Sequence, residues 1–197
     1  LSDQYEPPFS QMAAVRYFEQ QLEDIDYNFR VHYANSSSVR LANIYANHYV
    51  YCNRGVNGIE GSLSTAAGHS LGTDEMVFCV IGDLSFFYDQ NALWNKCLGG
   101  NLRILLLNNG GGSIFRSLPG LNDSPVAESF VAACHATTAQ GICTQNDIGY
   151  LKASNMIDMQ LGIVRLLTAE TKRPMLLEVF TDGGEDARVV REDFNLP

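Results

Sequence analysis

The chain has 197 residues, 46% of them hydrophobic and 18% charged, with a formal net charge of −9 and a pI near 4.8. That size supports one core and one domain, and the acidity argues against a nucleic-acid or anionic-membrane footprint. No apolar run approaches the roughly 18 residues that a membrane span needs. An anionic ligand would have to be held locally, by a metal ion, a helix terminus or a few placed arginines.

The opening residues, LSDQYEPPFSQ, lack a charged-then-apolar signal pattern, which points to a soluble protein. Met12, Val15, Phe18 and Leu22 recur every three or four residues and predict a helix over 11–22, with Ser10 as its N-cap. FRVHYA at 29–34 predicts a strand ended by Asn35-Ser36-Ser37-Ser38, followed by a helix over 39–46 and a short strand over 49–52. NRGVNGIEG comes next, glycine-rich enough for tight backbone paths, and then a small-residue segment, SLSTAAGHSLG.

Residues 76–81 form a continuous apolar run, predicted as a buried strand and broken at Gly82-Asp83-Leu84-Ser85. A helix is predicted over 86–98, burying Phe87, Leu93, Trp94, Cys97 and Leu98 and closed by Gly99-Gly100. A second buried strand over 103–107 breaks at Asn108-Asn109-Gly110-Gly111-Gly112. Helical spacing returns at 130–143 and 155–169, PMLLEVF at 174–180 reads as the last strand, and the acidic end, GGEDARVVREDFNLP, reads as a solvated tail or an appended extension.

The five cysteines (Cys52, Cys79, Cys97, Cys134, Cys143) are odd in number and show no CxxC spacing. They read as reduced, mostly buried thiols of a cytoplasmic protein, with Cys97 in the core. His32, His48, His69 and His135 show no metal-ligand spacing and read as packed or surface residues.

Apolar strands alternating with helices indicate an α/β three-layer sandwich with a mainly parallel sheet. In such sheets ligands bind beyond the carboxyl ends of the strands. Four polar, glycine- or serine-rich interruptions lie at such ends and should converge on one rim: 36–38, 53–61, 82–85 and 108–113. There Asp83 offers a carboxylate, Asn109 an amide oxygen, Gly110 to Gly112 close-approaching backbone carbonyls, and Ser85 stands at a helix start that favours phosphate. With phosphate oxygens these make an octahedral all-oxygen set, suited to magnesium completed by its own ligand. GxxxxGK[ST] is absent and no GxGxxG follows a strand, so neither a P-loop nor a dinucleotide fingerprint is present.

The segment from Gly82 to Asn109 resembles the thiamine diphosphate motif, in which GD is followed at a distance by N or NN. More narrowly, NRGVNGIEGSLSTAAG, GDLSFFYDQNALW and NNGGGSIF resemble the 2-succinyl-5-enolpyruvyl-6-hydroxy-3-cyclohexene-1-carboxylate synthases of menaquinone biosynthesis. The likeness is specific from about Asn35 to Phe115 and weaker up to the LLEVFTD strand.

This resemblance implies a thiamine diphosphate-binding fold, with the cofactor held through Mg2+ or Mn2+ on Asp83, the Asn109 side chain and the Gly111 carbonyl. It implies cofactor contacts from Gly58, Gly82, Leu84, Ser85 and Ser113, with Ile59 as the wedge that bends the cofactor. Arg54 and Arg40, with Ser36 nearby, would grip the distal carboxylate of 2-oxoglutarate, and Ile114 and Phe115 would line the side where isochorismate arrives. By their own pattern Arg40 reads as a solvated helix residue, Ile59 as core, and Ile114 and Phe115 equally as helix-packing residues.

The implied reaction is a transferase-type carboligation. 2-Oxoglutarate loses carbon dioxide and the succinyl carbanion equivalent adds to isochorismate. In such enzymes an activating glutamate comes from a separate pyrimidine-binding domain, of the same or a second subunit, and Glu60 does not match it. The expectation is a carboxy-terminal domain of a longer cytoplasmic homodimer or homotetramer, inactive alone and weak in cofactor binding. Two alternatives stand beside it: another thiamine-dependent decarboxylase or carboligase, and a non-catalytic α/β module that has lost its ligand.

Overall fold

The computed structural model describes residues 6–55, 58–112, 114–115 and 126–194. The chain runs α1 (Gln11–Glu23), β1 (Phe29–Tyr33), α2 (Ser37–Tyr45), β2 (Val50–Tyr51), α3 (Ser62–Leu71), β3 (Met76–Gly82) and α4 (Asp83–Asp89). After a 3₁₀ turn (Gln90–Trp94) come β4 (Leu102–Asn108), a π-helical turn (Ala127–Val131), α5 (Gln140–Gln145), β5 (Gly149–Ala153), α6 (Met156–Thr168), β6 (Met175–Phe180) and α7 (Gly183–Phe194).

All strand pairings are parallel, in the order β2-β1-β3-β4-β6-β5. Strand order reverses between β1 and β3, which opens a crevice at their carboxyl ends. Successive residues of β3 face opposite layers. Phe78 and Val80 join α1, α2, α6 and α7 in one core, while Val77, Cys79 and Ile81 join α3, α4 and α5 in the other. A strand buried on both faces cannot alternate polar with apolar, which is why MVFCVI and LRILLL read as unbroken runs. The exception, Arg103, is buried because its guanidinium donates to the Gly100 and Ala169 carbonyls, at 2.7 and 2.6 Å, and to the Met175 sulfur.

The helix predicted at 11–22 is α1, and Ser10 caps it by accepting from the Ala13 N–H at 3.1 Å. The strands predicted at 29–34, 76–81, 103–107 and 174–180 are β1, β3, β4 and β6. Three elements are not predicted: α3, β5 and α7, the last lying where a solvated tail is expected. The small-residue segment is α3, where Leu63, Ala66, Ala67 and Ser70 face the sheet at helical spacing. GYLKA is β5, an edge strand too short and too exposed to carry an apolar signal.

The helix predicted over 86–98 needs correction. Helix α4 begins directly off β3 at Asp83 and ends at Asp89, so Trp94 and Cys97 are exposed rather than core. Asp89 explains the early stop. Its carboxylate accepts from the Ser64 N–H at 2.7 Å and from the Ser64 hydroxyl, capping α3 from outside because Gly61 has no side chain to do so. The helix predicted over 130–143 is also corrected. After the π-helical turn the chain is non-helical until α5 at Gln140, because Asn108 Nδ2 takes the Thr137 carbonyl at 3.0 Å and Glu178 takes the Ala139 N–H at 3.0 Å.

Candidate functional site

Asp83 and Asn109 lie at the carboxyl ends of β3 and β4, neighbouring strands in which Gly82 pairs with Leu107. One oxygen of the buried Asp83 carboxylate, Oδ2, accepts from the Asn109 N–H at 3.2 Å and the Gly111 N–H at 2.9 Å. The other, Oδ1, accepts from the Leu84 N–H at 2.7 Å. Burial pushes the Asp83 carboxyl above its ordinary range, against the lowering influence of the Leu84 N–H, His135 and the Gly111 and Asn109 N–H groups.

The glycines at the two strand ends are not equivalent. Gly111 has φ +149°, and a Cβ there would stand 2.7 Å from the Ala132 carbonyl oxygen. Gly82, by contrast, is ordinary extended backbone at φ −78° with open space around it, so the turn into Asp83 does not itself demand glycine. Segment 132–139 lies against the glycine loop. Gly112 N–H donates to Ala132 at 2.6 Å and His135 N–H to Gly110 at 3.0 Å.

His135 is a site neighbour that the sequence reading passed over. Its Nε2 lies 3.3 Å from Asp83 Oδ2, buried and outside hydrogen-bond geometry, with the ring edge-on to Phe87. No spacing could have revealed it, because the contact depends on the non-helical path of 132–139. Asp186 is the second such residue. It sits on α7, in the segment expected to be a solvated tail, and its carboxylate accepts from Asn109 Nδ2 at 2.9 Å, Thr181 Oγ1 at 2.7 Å and Gln11 N–H at 2.8 Å. Here a signal existed: Asp182 caps the Gly184 and Glu185 N–H groups at 2.9 Å, with Asp and Glu in the first turn and apolar residues spaced behind.

The loop carrying Gly58 and Ile59 lies against the same rim. Asn35 Nδ2 donates to the Gly58 carbonyl at 2.8 Å and the Ser85 hydroxyl donates to the Ile59 carbonyl. Ile59 is half-buried, and its N–H donates to Glu60 Oε2 at 2.9 Å, so the Glu60 carboxylate folds back on its own loop. Leu84 gives its N–H to Asp83.

Arg54 is exposed and lines an open cavity of about 500 Å³ with Cys52, Asn53, Gly55, Gly58 and Glu60. Arg40 is exposed on α2, one turn after Ser36, which holds φ +79° although it is not glycine. Ile114 and Phe115 follow the glycine loop, Phe115 donating its N–H to Gly112 at 3.1 Å. Ser113 lies outside the described residues.

The donor chemistry fits a hard cation. Among the described residues no three His, Cys, Asp or Glu side chains converge, so a cation here would draw on one carboxylate, an amide oxygen, backbone oxygen and its own ligand. A carboxylate desolvated to this degree is short of positive charge, which a divalent ion would supply.

No family model matches the chain. It is 47% identical over 169 residues to the 2-succinyl-5-enolpyruvyl-6-hydroxy-3-cyclohexene-1-carboxylate synthase of Phocaeicola vulgatus, a match covering 84% of this chain and 30% of the relative. The enzyme of the same name from Bacteroides fragilis is 43% identical over 194 residues, covering 96% of this chain and 34% of the relative. The chain thus spans about a third of the length of these relatives. Among solved structures, an enzyme from Mycobacterium smegmatis described as thiamin diphosphate-dependent superposes with a TM-score of 0.66 at 18% identity, covering 89% of this chain and 32% of that one. Benzoylformate decarboxylase from Polynucleobacter necessarius gives 0.68 at 14%, covering 88% and 33%. At such identities these two similarities establish the fold alone.

Proposed function

From a chain homologous over most of its length to the 2-succinyl-5-enolpyruvyl-6-hydroxy-3-cyclohexene-1-carboxylate synthases, we propose a thiamine diphosphate-binding domain that holds the cofactor's diphosphate through Mg2+ or Mn2+. The observation that carries this reading is the union of Asp83, Asn109 and Gly111 in one hydrogen-bonded cluster at the ends of β3 and β4. Asp83, the Asn109 amide oxygen and the Gly111 carbonyl would hold the metal. Leu84, Ser85, Gly58, Gly82 and Ser113 would face the cofactor, with Ile59 as the wedge under its bend.

When bound, the cofactor supplies an electron sink for decarboxylating a 2-oxo acid and carrying the resulting acyl carbanion equivalent. This chain's residues position and neutralise. An acidic chain needs local cations to hold a dianionic substrate, and the exposed Arg54 and Arg40 guanidinium groups would supply them for the distal carboxylate of 2-oxoglutarate, with Ser36 as a further contact. Ile114 and Phe115 would offer the apolar side of the pocket to isochorismate. The longer relatives and the lack of a glutamate matching the activating one favour a second, pyrimidine-binding domain completing the site. An enzyme sharing its site between subunits would be at least a dimer.

The test is calorimetric titration of the full-length protein with thiamine diphosphate, with Mg2+ and then with a chelator, followed by turnover of 2-oxoglutarate with isochorismate. Metal-dependent binding is expected, and Arg54→Ala should raise the 2-oxoglutarate KM by about tenfold or more, as loss of a charged hydrogen bond implies. An unchanged KM would favour a different thiamine-dependent carboligase. Binding that ignores the metal would favour a module without this chemistry.

A further inference from the structure

An asparagine amide has two faces, an oxygen that accepts and an NH₂ that donates, and only the first can ligate a cation. In Asn109 the NH₂ points at Asp186 Oδ2, 2.9 Å away. The Asp186 carboxylate is itself fixed on both oxygens, by the Gln11 N–H at 2.8 Å and the Thr181 hydroxyl at 2.7 Å, and it is buried. A carboxylate with no hydrogen to give can face only the NH₂ end of the amide, so Oδ1 is turned the other way. We infer that Asp186 is the positioning residue of the metal site: by capturing the Asn109 NH₂ group it presents the amide oxygen to the cation, and it does so from the carboxy-terminal helix.

Without Asp186 the NH₂ group loses this acceptor, and the amide oxygen is held toward the cation less firmly. Partners that orient metal ligands in this way typically contribute 10–100-fold to affinity, and that is the effect expected here, roughly 10-fold or more. The inference rests on the metal reading above, so the experiment separates the two. In the full-length protein, Mn2+ affinity in the presence of thiamine diphosphate is measured by water proton relaxation for wild type, Asp186→Asn and Thr181→Val, alongside melting temperature.

Asp186→Asn should weaken Mn2+ by roughly 10-fold or more. Thr181→Val, which removes a donor to Asp186 and leaves the Asn109 contact, should lower the melting temperature while holding Mn2+ affinity within about twofold. A purely structural role predicts that affinity tracks melting temperature in both variants, and that result overturns the inference, as does an Asp186→Asn protein that binds Mn2+ like wild type. If wild type itself binds no Mn2+, the metal reading falls and this inference with it.

Should Asp186→Asn not fold, NMR of the wild-type protein decides. The Asn109 side-chain NH₂ protons should exchange slowly with water, one of them shifted downfield by the carboxylate. Averaged, fast-exchanging signals would refute the orientation.

Discussion

Asp83 and Glu178, two of the carboxylates buried toward the rim end of the sheet, are held in different ways. Glu178 in β6 is fully enclosed and accepts from Asn108 Nδ2 at 2.7 Å, Tyr150 OH at 2.7 Å and the Ala139 N–H at 3.0 Å. Two of those donors are side chains rooted in neighbouring strands. Asp83 accepts only from the backbone, from its own helix and from the glycine loop, with a histidine ring beside it. The first arrangement is architecture, since two donors are placed by neighbouring strands and the third by the turn into α5. The second leaves a carboxylate behind a turn whose shape depends on Gly111, an arrangement that suits the cation of the proposed reading.

Exchanging the acids for their amides tests this most severely. Asp83→Asn should abolish metal-dependent cofactor binding, an effect of more than about 100-fold, beyond what an outer-shell partner supplies. Glu178→Gln should instead act on stability, lowering the unfolding free energy by about 1–3 kcal/mol in urea titrations because an NH₂ group would confront one of three donors. A Glu178 variant that loses metal before it loses stability would break the comparison.

The glycines offer a milder version of the same contrast. Gly111→Ala meets a positive φ and a carbonyl at 2.7 Å, and should destabilise by about 1 kcal/mol or more. Gly82→Ala should stay within about 0.5 kcal/mol, because its backbone is ordinary and its surroundings open.

The smallest effect belongs to a pair of histidines away from the glycine loop. The hydrogen bond to Glu19, at 2.8 Å, raises the His48 pKa against the opposing effect of burial. A histidine made more basic by folding adds stability that is full below its unfolded value of about 6.5 and disappears as pH climbs through the raised value. The melting temperature should therefore drop slightly across that window, and His48→Gln should flatten the drop. His32 runs the other way: burial, then the nearby His69, lower it to about 4, so it subtracts stability only as pH falls from about 6.5 toward that value.

The sheet and its rim were legible because a strand buried on both faces leaves an unbroken apolar run, and because glycine, asparagine and aspartate interrupt such runs where the backbone turns. Asp83, Asn109 and Gly111 stood out for that reason, and the structure brings them together. What stayed hidden depends on contacts distant in the chain. His135 reaches Asp83 only because Asn108 and Glu178 hold segment 132–139 out of a helix. Helix α4 is short because Asp89 serves another helix. Asp186 is hidden for a different cause: a strongly charged amphipathic stretch reads as solvent-facing, although its cap is written in Asp182.

The clasp between α1 and α7 at Asp186 bears on how the domain matures. Gln11 and Asp186 are 175 positions apart, so a nascent chain that has emerged only through β6 already contains the glycine turn but lacks the hand that steadies Asn109. On the proposed reading, cofactor loading on the ribosome would then wait for α7 to dock. A shortened form ending at Phe180 would keep the whole sheet and still load poorly.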